Sequence, residues 1–302
     1  MVAAAKFKGI IPPVPTVFTD DGRIDEAGMG RVIDHLVEAG VDGMFFMGTG
    51  GEFSQMSREE RLAVAEFVVR HTAGRTQVLI GTGSTNTREA IELSQHAQSI
   101  GATGIVTINP YYWKVTEENL FRHFSAVAES VELPMMLYNF PALTGQDLTP
   151  QFVKRLADAH ANIVGIKDTI DSVAHLRDMI DVVKGAHPQF SVFAGYDDHL
   201  MNTLLLGGDG AISASANFAP ELSINIYRAV QKGDLATAAE LHRTILKLPM
   251  LYKIDVPFVG VVKEAMRACG LDISAHSLQP ASPLTEEKNK LVRTILTGAG
   301  II

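Results

Sequence analysis

The sequence predicts an α/β fold, a (β/α)8 TIM barrel followed by a C-terminal helical extension. Short apolar, β-branched or aromatic runs recur at intervals of roughly 20 to 35 residues, and each precedes a helix-like segment, as in βα units. Most runs are too continuously apolar for half-exposed antiparallel strands, so they predict a parallel sheet covered on both faces. The 302 residues accommodate one barrel of about 250 residues with an extension.

The predicted strands number about eight, and eight βα units close into a barrel more naturally than they form an open sheet. In chain order they lie in GIIPPVPTVF from Gly9, GMFFMG from Gly43, QVLIGTG from Gln77, GIVTINP from Gly104, PMMLYNF from Pro134, IVGIKD from Ile163, FSVFAGY from Phe190 and GAISAS from Gly210.

The helix starts between these strands carry capping signals. Ser57 with Glu60 predicts a capping box, and Asn86 with Glu89 predicts the same arrangement. Thr149 precedes a proline and predicts an N-cap with proline at the first helical position.

The C-terminal part differs from the barrel. After Ser215 we predict no further strand, and the residues from about Pro220 onward have the pattern of helices separated by glycine and proline breaks. We therefore expect a catalytic barrel over residues 1–218 and a helical extension over residues 219–302.

Composition narrows the class of function. The single cysteine, Cys269, excludes a disulfide framework and a multi-thiolate metal site, and the ten histidines show no ligand spacing, so we expect no bound metal. The net charge of -8 disfavours nucleic acid. No apolar run approaches the roughly 20 residues of a membrane span, and MVAAAKFKG lacks the apolar stretch of a signal peptide. We expect a cytoplasmic enzyme that acts on a small molecule.

A barrel places its active site where the strands end, and one such end carries an unusual lysine. Lys167 lies inside the apolar run IVGIKD, where burial would lower its pKa toward the range in which the neutral amine attacks a carbonyl. The alternative is a lysine that reaches solvent or pairs with Asp168. Tyr138 ends the preceding strand and could exchange a proton with a substrate near Lys167, although it could equally be a core aromatic residue.

Two further strand ends carry candidate binding groups. The GTGGE turn from Gly48 offers consecutive backbone N–H groups and the Thr49 hydroxyl to a small carboxylate, although glycines also serve tight turns. Asp197 and Asp198 follow another strand. They suit either recognition of substrate hydroxyls or a helix N-cap with favourable first-turn charge.

Five motifs together resemble the dihydrodipicolinate synthase and N-acetylneuraminate lyase superfamily in order and spacing. They are GTGGE from Gly48, NPYY from Asn109, YNFP from Tyr138, GIKD from Gly165 and GYDD from Gly195. The resemblance covers nearly the whole chain. It implies that Lys167 is the Schiff-base lysine, Tyr138 the proton-transfer tyrosine, and Thr49 with Gly50 the carboxylate-binding pair. It also implies that Tyr112 enters the site of a neighbouring subunit.

Departures from the family patterns narrow the implied substrate. Leu143 stands where dihydrodipicolinate synthases carry a carboxylate-binding arginine, and Ala214 stands where sialic acid lyases use a serine. Gly50 replaces a residue that usually bears a hydroxyl. The segments YNFPALTGQDLTP, GIKDTIDSVAHLR and GYDDHLMNTLLLGGDGAISAS are similar to those of bacterial aldolases that act on 2-keto-3-deoxygluconate or the corresponding pentonate.

The resemblance therefore implies a class I aldolase without a cofactor, in which Lys167, Tyr138, Thr49 and Tyr112 are catalytic. The implied substrate-binding residues are Gly50, Gly51, Thr169, Gly195, Asp197, Asp198 and Ser213. A homotetramer, built as a dimer of dimers, is expected. The alternatives are a Schiff-base dehydratase, a dihydrodipicolinate synthase and a non-catalytic protein that binds 2-oxo acids.

Overall fold

Nine short strands and twelve α-helices lie along residues 7–302, the part of the chain that this computed structural model describes. The strands are β1 (Gly9–Ile10), β2 (Pro13–Val14), β3 (Gly43–Phe46), β4 (Gln77–Gly81), β5 (Gly104–Ile108), β6 (Met135–Asn139), β7 (Ile163–Asp168), β8 (Ser191–Ala194) and β9 (Gly210–Ala211). The helices are α1 (Glu26–Ala39), α2 (Arg58–Thr72), α3 (Thr87–Ser99), α4 (Glu117–Glu129), α5 (Pro141–Thr144), α6 (Pro150–Ala159), α7 (Val173–Met179), α8 (Leu200–Leu205), α9 (Pro220–Gln231), α10 (Leu235–Ile245), α11 (Val259–Ala268) and α12 (Glu286–Ala299).

The described residues fall into two units. The first comprises residues 7–9 and Leu79–Ile212, and its strands run parallel in the order β9, β8, β7, β6, β5. The second comprises Ile10–Val78 and Ser213–Ile302, and in it β2 pairs in parallel with β3. In each unit the strands are almost entirely buried, as expected for parallel strands covered on both faces.

The first predicted strand, GIIPPVPTVF, is interrupted. The structure has β1 and β2 in its place, because Pro12 and Pro13 lack the N–H group that a continuous ladder requires. The side chain of Asn217 takes up one of the backbone groups of this segment, since its Nδ2 donates to the Pro13 carbonyl at 3.1 Å. Residues 7–302 therefore contain nine strands where the sequence predicted about eight.

The predicted helix caps are largely confirmed. Ser57 and Glu60 form a reciprocal capping box at the start of α2, and the Thr149 hydroxyl accepts the Phe152 N–H at the start of α6. At α3 only half of the predicted box is present: Asn86 accepts the Glu89 N–H at 2.9 Å, but the Glu89 carboxylate is held by the Ser84 hydroxyl. The box fails there because a closer donor competes for the carboxylate.

The C-terminal part is helical, as predicted. Every element from Pro220 to Ala299 is a helix, and α11 is buried along Val259–Met266, including the charged side chains of Lys263 and Glu264. Within residues 7–302, no helix is both long enough and apolar enough to cross a membrane.

Candidate active site

Lys167 and Tyr138 occupy paired positions on neighbouring strands of the first unit. They are register partners on β7 and β6, so their side chains emerge on the same face of the sheet. The Lys167 Nζ atom lies 4.3 Å from the centroid of the Tyr138 ring. On the other side of Lys167, the register partner on β8 is Phe193, which is fully buried. Lys167 thus lies between two aromatic register partners, and its amine contacts the ring of Tyr138.

This environment changes the acidity of the lysine. Lys167 is 4% exposed, and burial lowers its pKa to about 7, although the Asp197 carboxylate acts in the opposite direction and raises it. A large fraction of the amine is therefore neutral near neutral pH, which is the form that attacks a carbonyl. The alternative in which Lys167 reaches solvent is wrong.

The alternative pairing of Lys167 with Asp168 is also wrong. Successive side chains of a strand point to opposite faces, and the Asp168 carboxylate is bound on its own face. Its Oδ2 lies 2.7 Å from His175 Nδ1, and its Oδ1 accepts from Asn139 Nδ2 at 2.9 Å. The same Asn139 amide donates to Asp147 at 2.8 Å, and Asp147 lies 3.4 Å from His175 Nε2.

Sequence reasoning missed this network around His175. Burial alone would lower the pKa of His175, but hydrogen bonds and charges from Asp147 and Asp168 raise it to about 10. His175 is therefore a cation between two carboxylates, on the face of β7 opposite to the Lys167 side chain. A signal was present in the sequence, because Ser172 caps α7 and accepts the His175 N–H at 3.2 Å, which fixes the histidine in the first turn.

Thr169 and Gly195 lie together just beyond β7 and β8. The Thr169 side chain is 6% exposed, and its hydroxyl has no hydrogen-bond partner among residues 7–302. A Cβ atom at position 195 would collide with the Thr169 side chain and backbone. Position 195 therefore requires glycine because Thr169 packs against its backbone. The role of Gly195 in substrate binding stays a prediction.

Asp197 and Asp198 lie in a short 3₁₀ turn, Asp197–His199, rather than at a helix N-cap. The residue at the cap position is Tyr196, and no side chain caps the turn, so the N-cap part of that interpretation is wrong, whereas its other part is confirmed because both carboxylates lie in the first turn. Asp197 is 3% exposed, which suits a group that acts on buried Lys167, whereas Asp198 is partly exposed. His199 follows, with its Nε2 3.0 Å from Asp171 Oδ1.

The aromatic loop after β5 is exposed. Tyr112 is 84% exposed and Trp113 is 74% exposed, so neither ring folds back against its own chain. The loop is nevertheless anchored, because the Gln146 side chain donates to the Val115 carbonyl at 2.9 Å and accepts the Val115 N–H at 3.2 Å. Leu143, at the position of the family's arginine, is 54% exposed on α5.

In the second unit, Thr49–Gly51 form a 3₁₀ turn directly after the β3 region. The Gly51 N–H donates to the Gly48 carbonyl at 3.0 Å, and the Gly51 carbonyl accepts the Thr16 hydroxyl at 2.7 Å. Both backbone groups of Gly51 are thus used inside the unit. This narrows the predicted carboxylate-binding positions to Thr49 and Gly50, which are partly exposed.

Ser213 also belongs to the second unit and precedes the 3₁₀ turn Ala214–Asn217. It is fully buried, and its hydroxyl lacks a hydrogen-bond partner in the part of the chain that the structure describes. Buried hydroxyls are rarely left unpaired, so such a group is a candidate for contact with a ligand.

The structure brings the predicted residues Lys167, Tyr138 and Asp197 together in the first unit, and Thr169 adjoins Gly195 there. The predicted residues of the second unit are Thr49, Gly50, Gly51 and Ser213. Across residues 7–302, no group of three or more histidine, cysteine, aspartate or glutamate side chains is arranged to hold a metal ion.

Comparison with known proteins agrees with this geometry. The profile of the dihydrodipicolinate synthetase family matches residues 6–299. YagE of Escherichia coli K12, named as a candidate 2-dehydro-3-deoxy-D-gluconate aldolase, is 63% identical over 296 residues, which cover 98% of each chain. YjhH of the same organism, named as a candidate 2-dehydro-3-deoxy-D-pentonate aldolase, is 57% identical and covers 98% of this chain and 99% of its own.

A solved structure is also similar to this chain. The crystal structure of YagE from E. coli K12 in complex with pyruvate superposes with a TM-score of 0.98 at 62% identity, covering 99% of this chain and 100% of that chain. The resemblance predicted from the five motifs is confirmed, and so is the fold class, a (β/α)8 barrel with a C-terminal helical extension.

Proposed function

Because the chain belongs to the dihydrodipicolinate synthetase family, we propose that it is a class I aldolase that cleaves 2-keto-3-deoxy sugar acids reversibly to pyruvate and a short aldehyde. The substrate is 2-dehydro-3-deoxy-gluconate or the corresponding pentonate, the chemistry named for the relatives YagE and YjhH. The observation that carries the proposal is the Lys167 amine, which is 4% exposed, has its pKa lowered to about 7 by burial, and lies 4.3 Å from the Tyr138 ring.

The reaction begins when the neutral amine of Lys167 attacks the C2 ketone. The resulting carbinolamine takes up a proton and loses water, which gives an iminium. The iminium accepts the electron pair of the C3–C4 bond as that bond breaks. Tyr138, with Thr49 and Tyr112 as a proton relay, removes the proton of the C4 hydroxyl, and the aldehyde departs. The enamine that remains is protonated at C3, and hydrolysis releases pyruvate and regenerates the lysine. No metal or other cofactor takes part.

The binding groups are matched to an anionic head and a polyol tail. Thr49 and Gly50 hold the substrate carboxylate. The sugar hydroxyls form hydrogen bonds with the side chains of Asp197, Asp198, Thr169 and Ser213. This role is supported by the hydroxyls of Thr169 and Ser213, which have no hydrogen-bond partner within residues 7–302. The carboxylates of Asp197 and Asp198 favour a substrate with a neutral polyol tail over one with a second anionic group. Leu143 agrees with this preference, because it replaces an arginine that would bind a second carboxylate.

The assembly and location belong to the same proposal. The enzyme is a homotetramer, a dimer of dimers, in which Tyr112 reaches the site of a neighbouring subunit. The 84% exposure of Tyr112 within one chain supports this arrangement, since aromatic side chains are enriched at interfaces. The enzyme works in the cytoplasm on a small-molecule 2-oxo acid and binds neither nucleic acid nor membrane.

A panel of 2-keto-3-deoxy acids tests the activity. Release of pyruvate with a short aldehyde supports the aldolase, whereas a deoxygenated keto acid of unchanged carbon number identifies a dehydratase.

Chelators should leave the rate of cleavage unchanged. Trapping with pyruvate and borohydride should add one reduced pyruvate to Lys167, and Lys167→Ala should abolish both trapping and turnover. Pyruvate binding without any turnover would identify a non-catalytic binding protein.

Leu143 gives a test against dihydrodipicolinate synthase activity. Without an arginine at this position, the enzyme should condense pyruvate with aspartate semialdehyde poorly compared with its cleavage of a deoxy-sugar acid. The reverse order of kcat/KM would reject the proposed substrate class.

A further inference from the structure

Glu52 ends the Thr49–Gly51 turn in a conformation that is unfavourable for a residue with a side chain. Its φ of 59° and ψ of 29° lie in the left-handed region. The turn closes on it, since the Glu52 N–H donates to the Thr49 carbonyl at 3.1 Å. The carboxylate itself is 2% exposed, so it points into the protein rather than toward a ligand in solvent. Surrounding structure must therefore hold this residue in place.

The C-terminal extension supplies that support. Lys263 on α11 is fully buried, and its Nζ atom donates to Glu52 Oε1 at 2.5 Å. The other carboxylate oxygen, Oε2, accepts the backbone N–H of Leu278 at 2.7 Å. Lys263 also donates to the His276 carbonyl at 2.6 Å and lies 4.9 Å from the centroid of the Phe18 ring. Both oxygens of Glu52 are thus bound by one helix and one loop of the extension.

We infer that Glu52 and Lys263 are positioning residues that fix the Thr49–Gly51 turn in the geometry that binds the carboxylate of the 2-oxo acid, an inference that rests on the proposed function. Neither residue touches the substrate. They act through the backbone, because Glu52 is bonded to the turn on one side and to the extension on the other. The extension carries none of the predicted site residues. Through Glu52 and Lys263 it nevertheless determines the geometry of the carboxylate-binding turn.

Stability alone is a weaker explanation of this pair. Burying two charges costs desolvation free energy that the ion pair only offsets when its geometry is good, and apolar replacements of similar volume are often as stable. What such a pair supplies is a defined orientation, since a carboxylate with a separate donor on each oxygen cannot rotate without losing a charge-assisted hydrogen bond. A pair of this kind at the end of an anion-binding turn fits a positioning role.

The test separates positioning from stability with the double variant Glu52→Gln/Lys263→Met, which removes both charges at nearly constant volume. We expect each single variant to lower Tm and the double variant to recover most of it. The pyruvate concentration that half-saturates borohydride trapping at Lys167 should nevertheless stay raised by about tenfold in the double variant, as for loss of a charge-assisted hydrogen bond. The trapping rate at saturating pyruvate should stay within about twofold of the wild type, as for a loss of binding alone.

Two further variants complete the test. Glu52→Asp keeps the charge but is one methylene too short to reach both donors, so it should also raise the half-saturating concentration. The matched control is a partly buried ion pair of the first unit, in which Lys184 Nζ lies 2.7 Å from Asp209 Oδ2. No step of the proposed reaction uses this pair. Lys184→Met/Asp209→Asn should change Tm without changing the half-saturating concentration.

The outcomes are distinguishable. If the half-saturating concentration returns to the wild-type value together with Tm, if Glu52→Asp leaves it unchanged, or if the Lys184 control raises it equally, the positioning role is overturned while the proposed function stands. If pyruvate does not label Lys167 of the wild-type enzyme, the proposed function is overturned, and the positioning role with it.

Discussion

The Lys167 amine lies against the face of the Tyr138 ring, with Nζ 4.3 Å from the ring centroid, because the two residues are register partners on adjacent parallel strands. The ring shields the amine from water, and burial lowers the pKa of the lysine to about 7. One pair of backbone positions therefore places an amine of lowered pKa beside a phenol. This is the arrangement that Schiff-base formation followed by proton transfer requires.

The pH dependence of Schiff-base formation follows from the acidity of Lys167. The neutral amine is the reactive form, so trapping of pyruvate by cyanoborohydride should rise with pH and reach half its maximum near pH 7. Asp197→Asn removes the carboxylate that raises this pKa, and its midpoint should lie at a lower pH. Mass spectrometry of the labelled protein gives the rate at each pH. A midpoint near the ordinary lysine value of 10.5 would contradict the buried environment.

Tyr138→Phe removes the hydroxyl group and keeps the aromatic ring, so it separates the effects of the two. The ring still covers Lys167, so trapping of pyruvate should persist, whereas aldol cleavage should lose its proton acceptor and slow by about 10²- to 10⁴-fold in kcat. Trapping and steady-state cleavage are measured on the same preparation. Equal loss of both would indicate that the tyrosine only packs against the lysine, and loss of neither would remove it from the reaction.

The sequence predicted the parts of this site that depend on local pattern. Lys167 stands out within an apolar strand, and the ends of parallel strands meet at one edge, so its nearness to Tyr138 could be expected from the order of the strands alone. The break between β1 and β2 was also implicit in two consecutive prolines, although the single apolar run concealed it.

The parts that were not predicted depend on contacts between distant segments. Glu52 and Lys263 are separated by 211 positions, and neither residue type signals its partner in a single sequence. The Asp168 carboxylate could have paired with Lys167 or with any nearby base, and only the alternation of the strand and the placement of α7 select His175.

Gly50 and Gly48 differ in how much room they leave, which gives a matched pair of variants. A Cβ atom at position 50 would lie 3.7 Å from the Pro13 carbonyl oxygen, an ordinary contact, whereas one at position 48 would lie 2.6 Å from the Phe45 ring. Gly50→Ser should therefore fold normally and lower the half-saturating concentration of pyruvate, because it restores the hydroxyl that the family usually carries there. Gly48→Ser should lower stability by about 1–3 kcal/mol through overpacking.

Thermal unfolding and pyruvate-dependent trapping measure the two effects of these variants. An increase in the half-saturating concentration for Gly50→Ser would indicate that this position does not face the carboxylate. A loss of stability in Gly50→Ser as large as in Gly48→Ser would contradict the geometry of the turn.

His175 should make stability depend on pH. Asp147 and Asp168 raise its pKa from 6.5 to about 10 in the folded state, against the effect of burial. Because the folded pKa is the higher one, the stabilisation is fully present below pH 6.5 and is lost as the pH rises through about 10. The difference in Tm between the wild type and His175→Gln should therefore be largest in mild acid and shrink in alkali.

His123 provides a control of opposite sign for this measurement. Burial lowers its pKa from 6.5 to about 4, so its protonation favours unfolding as the pH falls below 6.5. His123→Gln should accordingly gain stability relative to the wild type as the solution becomes more acidic. A pH-independent difference for His175→Gln would show that the histidine is not a cation between its two carboxylates.

Tyr112 should act across a subunit boundary. Its side chain is 84% exposed within one chain and Trp113 beside it is 74% exposed, so the loop after β5 presents a large aromatic surface that an interface would cover. When Tyr112→Phe is mixed with Lys167→Ala and the subunits exchange, a hybrid dimer contains one site with both an intact lysine and an intact tyrosine. Random mixing should then restore about a quarter of the wild-type activity.

The control mixture, Tyr138→Phe with Lys167→Ala, should recover none, because Tyr138 and Lys167 belong to the same chain and lie in contact. Native mass spectrometry establishes that hybrids have formed. Hybrids without recovered activity, or a fully active monomer in analytical ultracentrifugation, would place Tyr112 outside the neighbouring site.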